Sequence, residues 1–236
     1  GDLSLKFDFS NFIMTSNLSL YSAAVFSIVS NSDRLILIYD EAILESIDNL
    51  IINSEVRMVN DRDVFLISKK SIILYRNIST YGLLDTHCNF NCENNGMLHI
   101  KNDSTISANS FDVKGGSINL EGWVKTISRG EDSVSIDLTK DYFLMEEYCS
   151  PSSSISIGSS SVGPTFYLTN EMLNRIETAN SLRHMEFRSL FGNIVVHALD
   201  QSSTFFDSTH IILTSQGNVS FSTGPSEFYS IFVDAS

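Results

Sequence analysis

The residues able to do chemistry are few and widely spaced. Cys88-Asn-Phe-Asn-Cys92 lies in an Asn-rich loop, and a third cysteine, Cys149, stands before Pro151. In an oxidising setting the close pair predicts a Cys88–Cys92 disulfide around a tight loop. The alternative is half a zinc site, which needs two further ligands, with His87 and His99 nearby. The odd cysteine is then free or bridges to another chain. Glu146-Glu147, with Asp141 close by, supplies the carboxylate pair that glycoside chemistry requires. Neighbours on a strand point to opposite faces, so these two cannot converge as written, and they read as a solvated acidic turn. His87, His99, His184, His197 and His210 are scattered and read as surface or half-buried polar residues. Gly158-Ser-Ser-Ser-Val-Gly163 has the glycine spacing of a phosphate loop without the following lysine, which leaves a turn. There is no Gly-x-Ser-x-Gly, His-Glu-x-x-His or EF-hand loop. The expectation is a non-enzymatic chain with no catalytic residues, cofactor or metal site.

Composition narrows the partners. The 236 residues carry a net charge of −13, with 42% hydrophobic and 18% charged residues. That content predicts a folded body. No basic stripe exists to neutralise phosphates, so nucleic acid is not an expected partner, and an anionic membrane surface is disfavoured for the same reason. No apolar run reaches the ~18 residues of a spanning helix. The chain opens and closes in mid-pattern, which suggests a piece of a longer protein.

The elements that must position these residues are short strands. Leu3-Ser-Leu-Lys-Phe-Asp-Phe9, Ser133-Val-Ser-Ile-Asp-Leu138, Ile155-Ser-Ile157 and Gly217-Asn-Val-Ser-Phe221 alternate with period two, the strand signature. Ser, Asn, Asp and Gly clusters separate them. Three prolines in the whole chain suit long hydrogen-bonded ladders. Only two segments read as helical. Thr169 is a plausible N-cap, with Met172, Leu173 and Ile176 at helical spacing and Glu171 four residues before Arg175. Leu37-Ile-Tyr-Asp-Glu-Ala-Ile-Leu-Glu-Ser-Ile47 repeats this pattern, with Asp40 standing for Thr169 at an offset of 129.

That recurrence, with Gly116-Ser-Ile-Asn-Leu120 resembling Gly1-Asp-Leu-Ser-Leu5, predicts two tandem units, 1–114 and 115–236, in one continuous solenoid. Ile72-Ile-Leu74 and Ile211-Ile-Leu213 read as further counterparts. The predicted fold is an all-β parallel β-helix with short helical insertions near 40–47 and 169–177. Trp123 and the many Phe and Tyr could form a sugar-stacking platform, but the core is their expected place.

Ser154-Ile-Ser-Ile-Gly158, Glu171-Met-Leu-Asn-Arg-Ile176, Gly192-Asn-Ile-Val-Val196, Ile211-Ile-Leu-Thr214 and Gly217-Asn-Val-Ser-Phe221 together resemble filamentous-haemagglutinin-type adhesin repeats. The likeness covers most of 105–236 and more faintly 17–76. It implies a secreted β-helical protein, extracellular or at the cell surface, that is structural or adhesive. Its partners would be adjoining copies stacked head to tail, with surface glycans as a further partner. The alternatives are a β-helical polysaccharide lyase or hydrolase and a glycan-binding module. Two features depart from bacterial members: the three cysteines, and four Asn-x-Ser/Thr sequons at Asn17, Asn77, Asn102 and Asn218. They point to a eukaryotic secreted protein, with Asn77 and Asn102, beside turns, the favoured glycan sites.

Overall fold

The computed structural model describes residues 3–7, 12–14, 18–22, 26–30, 35–38, 41–58, 61–89, 92, 96–127, 142–147, 149, 154–158, 166–177, 184–199, 210–222, 226, 228 and 230–235. The chain is a parallel β-solenoid. Its first coil is β1 (Leu3–Phe7), β2 (Phe12–Met14) and β3 (Leu18–Ser22). The next two are β4 (Phe26–Ser30), β5 (Leu35–Ile38), β6 (Ala42–Ser46), then β7 (Leu50–Asn53), β8 (Glu55–Met58), β9 (Val64–Ser68). The fourth is β10 (Ile72–Leu74), β11 (Ile78–Ser79), β12 (Leu83–Cys88), and the fifth β13 (Leu98–Ile100), β14 (Thr105–Ala108), β15 (Ser110–Lys114). The sixth is β16 (Ile118–Leu120), β17 (Trp123–Thr126) and β18 (Tyr142–Glu147). Corresponding strands stack in parallel into three sheets, A, B and C, one per side of the coil.

The remaining elements are β19 (Ile155–Ile157), β20 (Tyr167–Leu168), α1 (Asn170–Leu173), β21 (Ile176–Glu177), β22 (His184–Ser189), β23 (Ile194–Val196), β24 (His210–Ser215), β25 (Val219–Phe221) and β26 (Ser230–Ala235). Sheet C runs on unbroken through β18, β22, β24 and β26, and β21 joins sheet B beside β17. A fourth sheet, D, has the order β20-β19-β23-β25. Its strand β20 packs beside β16, so sheet D takes over the side that sheet A occupies below.

Alternation builds the core. In β6, β9 and β12 every second side chain points inward and is buried. Register then stacks like on like: Leu44 on Leu66, Phe187 on Leu213, Leu50 on Ile72 on Leu98 on Ile118. The inward rows are largely apolar columns, with Thr86 the hydroxyl-bearing member between Leu66 and Val113, and burying them is the main driving force for stacking.

Where sheet C turns the corner, the inward column changes to hydroxyls. Ser46 stacks on Ser68 and Ser189 on Ser215. Each serine accepts a backbone N–H of the turn that follows it: Asp48 on Ser46 (3.3 Å), Lys70 on Ser68 (3.1 Å), Gly192 on Ser189 (3.2 Å) and Gly217 on Ser215 (3.0 Å). Two also reach the coil before them, Ser68 to the Asp48 carbonyl and Ser215 to the Gly192 carbonyl. Beyond the serines, Asn49 Oδ1 accepts the Ser71 N–H (3.2 Å) and Asn193 Oδ1 the Asn218 N–H (2.8 Å). A corner cannot use the strand ladder for all its backbone groups, so short polar side chains complete the pairing.

The structure corrects several sequence expectations. Ala42–Ser46 is a strand, not a helical insertion, with Ala42, Leu44 and Ser46 inward; Asp40 lies outside the described residues. The segment at 169–177 does hold a helix, four residues long, capped by Thr169 Oγ1 accepting the Met172 N–H at 3.1 Å. Glu171 pairs with Arg175 as expected, but Ile176 has already entered a strand. The offset of 129 therefore aligns a strand with a helix. Ile72–Leu74 lies in sheet A and Ile211–Leu213 in sheet C, so those triplets are not counterparts. Leu3 and Ile118 do share one column, in which Phe26, Leu50, Ile72 and Leu98 stand between them, one per coil.

Among the described residues, no strand covers the last coil. Ile231 and Val233 continue the columns of Ile211 and Leu213, and Phe221 continues that of Val196. Their predecessors are buried, yet Ile231 is 37%, Val233 42% and Phe221 53% exposed. Among the described residues, strands β26 and β25 each pair on one side only.

Candidate functional site

The outward face of sheet C gathers charges that are far apart in sequence. One outward row reads Phe65, Asp85, Asp112, Leu144, Glu186 and Ile212, and the next reads Ile67, His87, Lys114, Glu146, Arg188 and Thr214. Four carboxylates and two cations thus lie across β12, β15, β18 and β22.

Each cation bridges two carboxylates. Lys114 Nζ is 2.8 Å from Asp112 Oδ2 and 3.2 Å from Asp85 Oδ2. Arg188 reaches Glu146 Oε2 at 3.1 Å through Nη1, and Glu186 Oε1 at 2.8 Å through Nη2 and 3.0 Å through Nε. Thr214 Oγ1 donates to the same Glu186 oxygen at 3.2 Å. The Asp112 side chain is only 10% exposed, and its Oδ1 has no hydrogen-bond partner among the described residues.

Burial pushes the Asp85 carboxyl above the ordinary aspartate range, and Lys114 only partly reverses this. Burial does the same to Asp112, against the hydrogen bond from Lys114. For Lys114, burial favours the neutral amine, but the two aspartates outweigh it and raise its pKa. Burial, then the Lys114 charge, lowers His87. The face therefore holds acids that ionise reluctantly next to acids bound by a guanidinium, an arrangement able to grip a polar polymer or to exchange protons with one. A smaller polar group sits on the outer face of sheet A, where His99 Nε2 meets Glu121 Oε1 at 2.8 Å and Asn119 lies beside both. The hydrogen bond from His99 lowers the Glu121 pKa.

Little of this is legible in the sequence. Glu146 and Glu147 do point to opposite faces, but they end a strand instead of forming a solvated turn: Glu146 joins Arg188 outside, while Glu147 is buried inside and accepts the Cys149 N–H at 2.7 Å. Asp141 lies outside the described residues. Asp85, Asp112 and Glu186 carry no linear signal, because only register makes them neighbours.

The disulfide joins Cys92 to Cys149, with Cα atoms 4.9 Å apart, and not Cys88 to Cys92. Cys88 is a buried free thiol. Strand alternation explains the correction: Cys88 is the inward last residue of β12, in register with Ser68, so it faces the interior. His87 points outward on sheet C and His99 outward on sheet A, so a zinc site with Cys88 and Cys92 does not assemble. Among the described residues no group of His, Cys, Asp and Glu is arranged to hold a metal ion.

Of the sequon asparagines, Asn77, Asn102 and Asn218 are exposed; Asn17 lies outside the described residues. Asn77 Oδ1 accepts the Thr105 N–H at 2.7 Å, which leaves its nitrogen for a glycan. Trp123, expected in the core, is 41% exposed, with Lys125 Nζ 5.7 Å from its ring centroid. Among the described residues no helix is long and apolar enough to cross a membrane. No protein-family model, no curated protein and no solved structure matches the chain.

Proposed function

We propose that this chain is a structural or adhesive module of a secreted or surface filament, similar in construction to filamentous-haemagglutinin-type repeats, whose work is mechanical. The observation that carries the reading is the uncovered last coil. Its core columns end in Phe221, Ile231 and Val233, which contact water where their predecessors are buried. An apolar sheet end with free ladder groups is stable only when another coil covers it. A second copy offers a fitting surface. Its β3 has the same strand polarity, Leu18 and Leu20 lie at the far end of the columns that Ile231 and Val233 close, and among the described residues β1 is likewise an edge strand. Head-to-tail joining of this kind extends without closing. The Cys92–Cys149 disulfide and the exposed sequons support an oxidising, extracellular setting.

The register supplies the test. A copy docked in phase places Tyr21 of one chain beside Asp234 of the next. Within one chain these residues lie at opposite edges of a nine-stranded sheet. Tyr21→Cys and Asp234→Cys chains, mixed and mildly oxidised, should form a mixed dimer; control pairs displaced by one residue should not. Equal cross-linking by both pairs would sink the reading.

A second reading, a carbohydrate-active site on sheet C, is favoured by Asp85, Asp112, Glu146 and Glu186 sharing one face. It predicts release of reducing ends from a polysaccharide and its loss in Glu146→Gln. A panel of neutral and uronate polymers left intact by the wild-type chain would remove it.

A further inference from the structure

Sheet D carries a second chemical group, separate from the charged face of sheet C. In register, Ile157 lies beside Val196 and Val196 beside Phe221. The residues that follow the latter two, His197 and Ser222, therefore stand on neighbouring coils. The His197 side chain leans between two hydroxyls: Nε2 is 3.1 Å from Ser156 Oγ, and Nδ1 is 3.1 Å from Ser222 Oγ. Its backbone is fixed on both sides, with its N–H donating to the Ile157 carbonyl (2.8 Å) and its carbonyl accepting from Ser226 Oγ (3.1 Å). Ser222 is held as well, its N–H on the Val196 carbonyl at 2.8 Å.

A neutral imidazole has one N–H and one lone pair. With Nδ1–H donating to Ser222, the lone pair of Nε2 faces the Ser156 hydroxyl. Nucleophile, base and orienting group are then in line, all within hydrogen-bond reach. We propose that Ser156 is an acyl-acceptor nucleophile activated by His197, with Ser222 setting the imidazole tautomer. None of the three carries a fixed charge, and Ser156 stands between Tyr167 and Val195 in its row. The fitting substrate class is therefore an uncharged acyl ester with a good leaving group. Ser156 Oγ bonds to the acyl carbon as the ester C–O bond breaks. The Ser156 proton passes to Nε2 and then to the departing oxygen. Water then attacks the acyl carbon as its bond to Ser156 Oγ breaks; a water proton passes through the same nitrogen to Oγ, and the carboxylic acid leaves. The inference goes beyond the stacking role and does not depend on it.

The test uses the whole chain and 4-nitrophenyl acetate. A burst of nitrophenolate is expected, with the acetyl group mapped by mass spectrometry to Ser156, on the order of 100-fold faster than on an unassisted serine. Ser156→Ala should abolish the burst. His197→Gln should slow it by about 100-fold, the share of a general base, with a wild-type circular dichroism spectrum. Ser222→Ala should slow it by less, since the base remains. Acetyl groups found on Ser222 or on lysines with Ser156 unmodified would overturn the assignment. So would an undiminished burst in a folded His197→Gln chain.

Discussion

Cys88 stacks directly on Ser68, one coil away, and occupies the corner position that Ser46, Ser68, Ser189 and Ser215 fill elsewhere in sheet C. Its thiol points at the carbonyls of Lys114 (3.6 Å) and Ser117 (4.0 Å), as a hydroxyl would. Burial pushes the thiol pKa up to about 12, so Cys88 is a structural residue and not a reactive one.

Cys88→Ser should therefore restore the column and change stability by no more than about 1 kcal/mol, read as the shift of a denaturation midpoint. In the wild-type chain an alkylating reagent should leave Cys88 untouched at neutral pH and modify it once the chain is unfolded. Rapid native-state alkylation would contradict this placement.

Gly115 faces Cys88 across the same corner. A Cβ there would lie 2.4 Å from the Cys88 carbonyl oxygen and 2.6 Å from its sulfur, and the backbone sits at φ +149°. Both the clash and the backbone conformation exclude a side chain. Gly115→Ala should cost at least about 2 kcal/mol, whereas Ser117→Ala, in the same turn, should cost less. Equal effects would show that the close approach is relaxed in solution.

The Cys92–Cys149 bridge spans 57 residues and ties the loop after β12 to the end of β18. Closing a loop of that size restricts the unfolded chain, so Cys149→Ser should lower stability by about 2–4 kcal/mol. Non-reducing peptide mapping should recover the Cys92–Cys149 pair. Recovery of Cys88–Cys92 would contradict the inward course of β12.

Burial raises the Asp112 pKa in the folded state above its ordinary value of 3.8. A group shifted upward favours folding below its unfolded pKa, and that contribution is lost as pH rises through the folded value. Asp112→Asn removes this dependence. The variant should gain stability relative to wild type as pH is raised from 3.8 to neutral, seen as a narrowing or reversing gap between melting temperatures. A gap that moves the opposite way would mean that Lys114 governs the carboxylate.

Much of the architecture was legible from alternation, few prolines and polar turns, and the helix from Thr169 and its spaced apolar residues. The coil repeat was not. The column Leu3, Phe26, Leu50, Ile72, Leu98, Ile118 is unevenly spaced, so no single offset aligns the coils. Ala42–Ser46 misled because Ile43, on the outer face, stacks on Phe65. With apolar residues on both faces, a strand shows the spacing of a helix. The charged face was hidden for another reason: Lys114, Glu146 and Arg188 become neighbours only through register, and no linear motif links them.

The proposed mechanical role requires a further coil over the exposed end of the columns. Sedimentation velocity across a rising concentration series measures this directly, for the wild-type chain and for an Ile231→Asp/Val233→Asp variant. Open-ended growth is expected in the wild type, with no closed species, and a monomeric variant of unchanged β-sheet content. A wild-type chain that remains monomeric up to its solubility limit would contradict it.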